Sequence, residues 1–437
     1  MTPNVIPVGK GMTLWQCQTE KFKSETLSLS FVLPIERESA YLTSLLFSVL
    51  LRGTQSYPTV SALNRRLDYL YGTELSVRNF YRGDCRILGL SANLLGSRYL
   101  FEGKSEDLLR DVLAIMREIF FFPALDENGL LNAHYVESEK ELQCDTIRAQ
   151  KNNPHAYASD RCRALMYENE PSGTPIYGTE SEVRAVTAEM LTAHWKRLRT
   201  LLCPCFFYVG AQEAQTVKEA ILREFGDLSF PKSVGAEAIF TERPPKREFR
   251  SFEESLPVSQ GHLVIGLRTD ARVTDGDDFY AMTLCNEILG ASPVSKLFVN
   301  VREKKSLCYS CSSVYNIYKG GLLISCGLEN DRREEAEEEI LRQIEAMRLG
   351  DFDDEEWRSA KQSLENAYRQ LEDSPAAVES YYFGRFLAGV RDSLEECRRR
   401  LAGVTREQVI RAAKGLHADT VFFLNSTGNG EEYDEEE

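Results

Sequence analysis

Apolar residues recur along this chain at two spacings, which separate helices from strands. Residues 41–51 are apolar at helical spacing and stop short of Gly53, a residue suited to the left-handed position after a helix. Thr59, following Pro58, is placed as the N-cap of a helix over 60–69. Longer, charged helical patterns cover 106–120, 127–150, 332–347 and 354–371. Of these, 332–347 carries opposite charges at helical spacing and is expected to lie exposed. Apolar or alternating runs at 27–33, 87–94, 205–209, 262–267 and 322–328 read as strands, and Lys319-Gly320-Gly321 as a turn between two of them. Strand pairs separated by helical runs predict α+β domains, each a sheet covered by helices.

The pattern then repeats. Ser76-Val77-Arg78-Asn79-Phe80-Tyr81-Arg82-Gly83 recurs as Ser313-Val314-Tyr315-Asn316-Ile317-Tyr318-Lys319-Gly320, 237 residues later, with five identities. Ala185-Val186-Thr187-Ala188-Glu189-Met190-Leu191 is echoed by Gly403-Val404-Thr405-Arg406-Glu407-Gln408-Val409 at an offset of 218. Two matches in the same order predict two homologous domains. Their boundaries are placed at 1–235 and 251–427, with a linker at 236–250 whose Pro244-Pro245 favours an extended chain, and an acidic tail at 428–437.

Charge and cysteine content narrow the chemistry. The 437 residues carry 67 acids against 52 bases, and six of the acids sit in the last seven residues. A net charge of −15 has the wrong sign for tracking phosphate backbones, so neither nucleic acid nor an anionic membrane is an expected partner. The N-terminus lacks a basic start followed by an apolar block, and no apolar run reaches the about 18 residues of a membrane span, so a cytoplasmic protein is expected. Eleven scattered cysteines suit reduced, mostly packed thiols. Cys308-Tyr309-Ser310-Cys311 could be a redox pair or half a zinc site, but no second such pair or matching histidines supply the remaining ligands. The five histidines, 134, 155, 194, 262 and 417, include no pair at helical spacing. His134 reads as a helix-surface residue and His262 as a satisfied core or edge histidine.

Three strings resemble a known family. Leu50-Leu51-Arg52-Gly53-Thr54, Thr174-Pro175-Ile176-Tyr177-Gly178-Thr179 and above all the stretch from Leu297 to Ser310, with Arg302 seven residues before Tyr309, are similar to the pitrilysin (insulinase) family of inverted-motif zinc peptidases. That family includes insulin-degrading enzyme and the subunits of mitochondrial processing peptidase. The resemblance covers essentially the whole chain. It implies two homologous α+β domains of the processing-peptidase type, each a mixed, mostly antiparallel sheet under helices.

In active members, the helix before the Gly-Thr carries His-x-x-Glu-His. Two imidazoles four residues apart grip one zinc, and the glutamate polarises the attacking water. Counted back from Gly53-Thr54, those places fall on Ser44, Phe47 and Ser48. The family's third ligand, counted back from Asn153-Pro154, falls on Thr146, and a supporting acid on Glu139. Hydroxyls and a phenyl ring cannot replace imidazoles and a carboxylate, so no zinc site is expected in this chain and no cofactor is implied. Arg302 and Tyr309, in contrast, match the family pair that contacts the peptide carbonyl and its oxyanion. Without the resemblance, they read as an arginine paired within Arg-Glu-Lys-Lys and a tyrosine packed in a strand, with Lys304 and Lys305 on a solvated face.

The leading expectation is a catalytically deficient subunit, inactive on its own. It would pair with a zinc-bearing relative in a peptide-processing heterodimer and act on peptide or unfolded polypeptide; a homodimer is left open. Leu70-Tyr71-Gly72-Thr73 with the bare helix resembles a bacterial subgroup associated with aminopentanol modification of elongation factor P. The alternatives are a non-enzymatic scaffold of the same fold and a hydrolase with another catalytic set, such as a Cys-His pair.

Overall fold

The apolar run around residues 27–33 becomes an interior strand of a six-stranded sheet in the computed structural model, which describes residues 2–101, 104–231 and 248–428. The proposed tail beyond Gly428 and most of the proposed linker lie outside the described residues. The chain divides into two units that interleave in sequence: Met1–Arg148, Thr174–Thr241 and Gln370–Leu387 form the first, and Ala149–Gly173, Glu242–Arg369 and Ala388–Glu437 the second.

The first unit holds β1 (Asn4–Gly9), β2 (Met12–Gln18), β3 (Ser24–Pro34), β4 (Glu74–Arg82), β5 (Cys85–Leu95) and β6 (Pro204–Gly210), in the spatial order β1-β2-β6-β3-β5-β4. All neighbours are antiparallel except β2 and β6. β3 is buried along nearly its whole length because both faces of the sheet are covered. Phe31, Phe47, Phe120, Phe206 and Phe225 belong to the core. The opposite sheet face receives the helix Pro375–Leu387, drawn from far along the chain, whose Phe383 and Phe386 meet Trp15 edge-on at 5.5 and 5.7 Å. Glu379 of this helix is buried and pairs with Arg78 at 2.7 Å while accepting from Ser28 at 3.0 Å.

The second unit holds β7 (Arg250–Leu256), β8 (Gly261–Arg268), β9 (Ser310–Asn316), β10 (Gly321–Leu328) and β11 (His417–Ser426), ordered β7-β11-β8-β10-β9. β7 and β11 run parallel and the remaining neighbours antiparallel, so the sheet repeats the β2-β6-β3-β5-β4 arrangement of the first unit. Both copies of the sequence repeat fall on an edge strand and end in a glycine at positive φ, Gly83 at 57° and Gly320 at 65°, where the chain turns into the next strand. The second repeated string is likewise a threonine N-cap in both places: Thr187 caps Ala188–Arg199 and Thr405 caps Arg406–Lys414. The helix Pro154–Met166 packs on β8, β10 and β11 through Ala158 and Cys162, as Pro375–Leu387 does on the first sheet.

Several local expectations change. Gly53 has no positive φ; a Cβ there would meet the Pro58 carbonyl at 2.5 Å, so close backbone approach, not handedness, demands glycine. The helix expected from residue 127 begins at Ala133. Asp126 instead accepts from the amides of Asn128 and Leu130, both at 2.9 Å, and holds a turn before it. The charged helix Arg333–Leu349 is not wholly exposed, since Ala336, Ile340, Ile344 and Met347 make a buried stripe.

Candidate functional site

The helix Ala40–Leu50 carries the positions that the family resemblance marks as a lost zinc motif. Ser44 is buried; its hydroxyl donates to the Ile176 carbonyl at 2.7 Å and accepts from Arg86 Nη2 at 2.6 Å and Asn79 Nδ2 at 3.3 Å. Arg86, on β5, is only 3% exposed and also donates to the Ala40 carbonyl at 2.6 Å and to Asn79 Oδ1 at 2.8 and 3.0 Å. These acceptors are all neutral, and burial pulls the guanidinium down to about 10. A cation of the chain's own thus stands against Ser44, the residue that the resemblance counts as the first ligand position.

Phe47 lies in the core, stacked on Phe120 at 5.3 Å and 17°. Ser48 is half-buried. Thr146 is exposed on the helix Ala133–Ala149 and spends its hydroxyl on the Leu142 carbonyl at 2.8 Å, within its own helix. Glu139, the supporting acid, is buried and paired with Arg52 of the Arg-Gly-Thr string.

Arg302 and Tyr309 line one open cleft of about 500 Å³, together with Glu303, Ser306, Leu307, Cys308, Glu329 and Arg332. Arg302 projects from a π-helical stretch, Leu297–Lys304, with its guanidinium 4.7 Å from the Phe298 ring centre and its Nε 3.5 Å from Glu303. Helical turns of this wide kind recur at functional sites. Tyr309 is 58% exposed and precedes β9, so it is not packed within the strand. Its backbone amide donates to Gly327 at 2.8 Å, and its hydroxyl donates to Glu329, which raises the phenol above its ordinary value. The cleft holds two guanidiniums and a phenol beside the carboxylates of Glu303 and Glu329, and Arg302 and Tyr309 each engage one of those acids. Lys304 reaches Asn300 at 3.1 Å, while Lys305 pairs with the buried Glu339 and is therefore more than a solvated charge.

The eleven cysteines are free and all but the half-buried Cys308 are buried, as expected, and three of them come together. Cys311 of β9 is the Cα partner of Cys326 on β10, so their side chains share one sheet face, and Cys308 returns to them from the loop before β9. The three sulfurs lie within 4.8 Å of one another. Cys308 is held well below the usual thiol range by the Cys311 and Cys326 thiols beside it and by Arg302. The approach of the third sulfur was legible in principle: a turn at Lys319-Gly320 pairs Asn316 with Gly321 and so brings Cys311 opposite Cys326.

His134 is on a helix surface, as expected. His194 is buried, shares a 3.0 Å hydrogen bond with Thr43 and is pulled down to about 4, mainly by burial. His262 is buried and also pulled down to about 4, but its Nδ1 has no hydrogen-bond partner among the described residues, so it is not satisfied.

Comparison with known proteins places this geometry. The family described as "Peptidase M16 inactive domain" matches residues 185–364. The "Probable inactive metalloprotease YmfF" of Bacillus subtilis (strain 168) is 29% identical over 417 residues, covering 95% of this chain and 96% of that protein. The "Uncharacterized zinc protease YmxG" of the same organism is 23% identical, covering 72% and 75%. The crystal structure of a conserved protein from Enterococcus faecalis V583 superimposes with a TM-score of 0.89 at 25% identity, over 99% of this chain and 100% of that one. No helix among the described residues is long and apolar enough to cross a membrane. With its two α+β units and this sequence likeness along nearly its whole length, the chain is similar to inactive, peptidase-like proteins of the M16 family.

Proposed function

We propose that the chain is the zinc-deficient half of a peptide-processing heterodimer, presenting Arg302 and Tyr309 to a peptide held by a zinc-bearing relative. The observation that carries this reading is the open cleft in which both side chains stand, while Ser44 is engaged by Arg86 rather than left free to receive a metal. In such an assembly the guanidinium and phenol would meet the substrate carbonyl and the negative charge that develops on it. Bacillus subtilis supplies one relative named as inactive and one named as a zinc protease, and this chain resembles both. The same reading places the protein in the cytoplasm and ties the assembly to modification of elongation factor P. A pure scaffold would use neither Arg302 nor Tyr309.

The test is cleavage of a fluorogenic peptide library by the nearest zinc-bearing relative from the same genome, with this chain, with its Arg302→Ala form and without either. Stimulation by the native chain that Arg302→Ala abolishes is the expected result. A stable complex without stimulation would replace this reading with the scaffold.

A further inference from the structure

The three-cysteine cluster is a separate observation from the pair Arg302 and Tyr309, although Cys308 lines the same cleft. Cys311 and Cys326 are buried, face the same side of the β9–β10 hairpin and are fixed by its register. Cys308 is half-buried and lines the cleft. A tetrahedral ion with zinc–sulfur bonds of about 2.3 Å needs its sulfurs about 3.8 Å apart, within the 4.8 Å spread seen here. The Cys-x-x-Cys spacing of 308 and 311 is also that of structural zinc knuckles. Among the described residues, this is the group of three His, Cys, Asp or Glu side chains with ligand atoms close enough to share an ion.

We infer that Cys308, Cys311 and Cys326 form a three-thiolate site for a thiophilic d10 cation, Zn²⁺ or Cu⁺, with Cys308 leaving the fourth position accessible from the cleft. Binding exchanges each S–H bond for a metal–sulfur bond and releases the protons, so the site tightens as pH rises. It ties the segment preceding β9 to the hairpin and thereby holds Tyr309 at the cleft. The ion is distinct from the family's peptidase zinc, whose positions lie in the other unit.

The test is a Cd²⁺ titration of the full chain, stripped of metal and kept reduced with a phosphine, followed through the thiolate-to-metal charge-transfer absorbance. One Cd²⁺ per chain with the intensity of three sulfurs is expected. Cys308→Ser, Cys311→Ser and Cys326→Ser should each weaken binding by more than the about 10–100-fold that loss of an outer-shell partner costs. Cys203→Ser, in the other unit, should change nothing. Absence of the band, or a band that survives Cys326→Ser at full intensity, would overturn the site. If either buried variant fails to fold, Cys308→Ser decides alone, and an undiminished band in that variant overturns the site as well.

Discussion

Arg86 Nη2 donates to the Ser44 hydroxyl at 2.6 Å. Around this contact the strand residue Asn79 and the Ala40 carbonyl complete the guanidinium's shell, so a buried positive charge is held by dipoles alone. A divalent cation brought to Ser44 would be repelled by it. Arg86→Met removes the donors and leaves several buried acceptors unpaired, and should cost about 2–4 kcal/mol. Ser44→Ala should cost less, about 1 kcal/mol, because Arg86 keeps its other acceptors. Urea denaturation of both variants checks the order, and an Arg86→Met protein as stable as the native chain would refute it.

Phe47, which counting back from Gly53-Thr54 sets against the general base of the family's active members, is a core residue stacked on Phe120. Phe47→Ala should lose about 3–5 kcal/mol through the cavity. Phe47→Glu should lose at least as much, because it adds a carboxylate without hydration. Circular-dichroism melts of the two proteins make the comparison; a Phe47→Glu chain with native stability would contradict a core role for this position.

The pair Arg78–Glu379 fastens the helix Pro375–Leu387 to the first sheet, with Arg78 also 4.7 Å from the Phe383 ring centre. Removing one charge strands the other in the interior, so Glu379→Leu should cost about 3–5 kcal/mol. The double variant Arg78→Leu with Glu379→Leu should recover much of that loss. A double-mutant cycle by chemical denaturation tests the coupling, and purely additive losses would rule it out.

Acid should weaken the fold through His194. Its folded pKa lies near 4 against an ordinary 6.5, because burial disfavours the imidazolium, with Arg197 and Arg86 adding to the shift and Glu36 opposing it. The unfolded chain therefore takes up the proton first: stability is complete above about 6.5 and falls as pH drops toward 4, by roughly 2 kcal/mol at pH 5. His194→Gln should flatten the dependence of unfolding free energy on pH between 7 and 5. An unchanged slope would assign the acid sensitivity elsewhere.

Arg302 and Tyr309 should separate stability from activity. Both are substantially exposed, so Arg302→Ala and Tyr309→Phe should stay within about 0.5 kcal/mol of the native chain. Either should reduce the stimulation of a zinc-bearing partner. Thermal melts alongside the peptide assay detect the split; a large fall in melting temperature would make the side chains structural.

Local order was readable because it is written in short-range periodicity. The strands around 27–33, 87–94, 205–209, 262–267 and 322–328 emerge within a few residues of their expected ends, and both repeated strings fall on matching elements. Thr59 caps its helix through Ala62 as expected. Gly53 was misread because a glycine required by a neighbouring backbone looks the same in sequence as one required by handedness. The stripe on Arg333–Leu349 was missed because abundant charge at helical spacing hid four well-separated apolar residues.

Periodicity and the internal repeat alone determined that this is a doubled α+β chain, and residue identities alone gave hydroxyls and a phenyl ring at Ser44, Phe47 and Ser48. Neither could say what those residues meet. Arg86, 42 residues from Ser44, meets it only because the fold brings the start of β5 within reach of the helix Ala40–Leu50. Cys326 joins Cys308 and Cys311 only through hairpin register. The helices Pro154–Met166 and Pro375–Leu387 each belong to the unit that the simple order of the halves would not assign them. An amphipathic pattern specifies that a face will be buried; which distant surface buries it is settled by the packing of the whole chain.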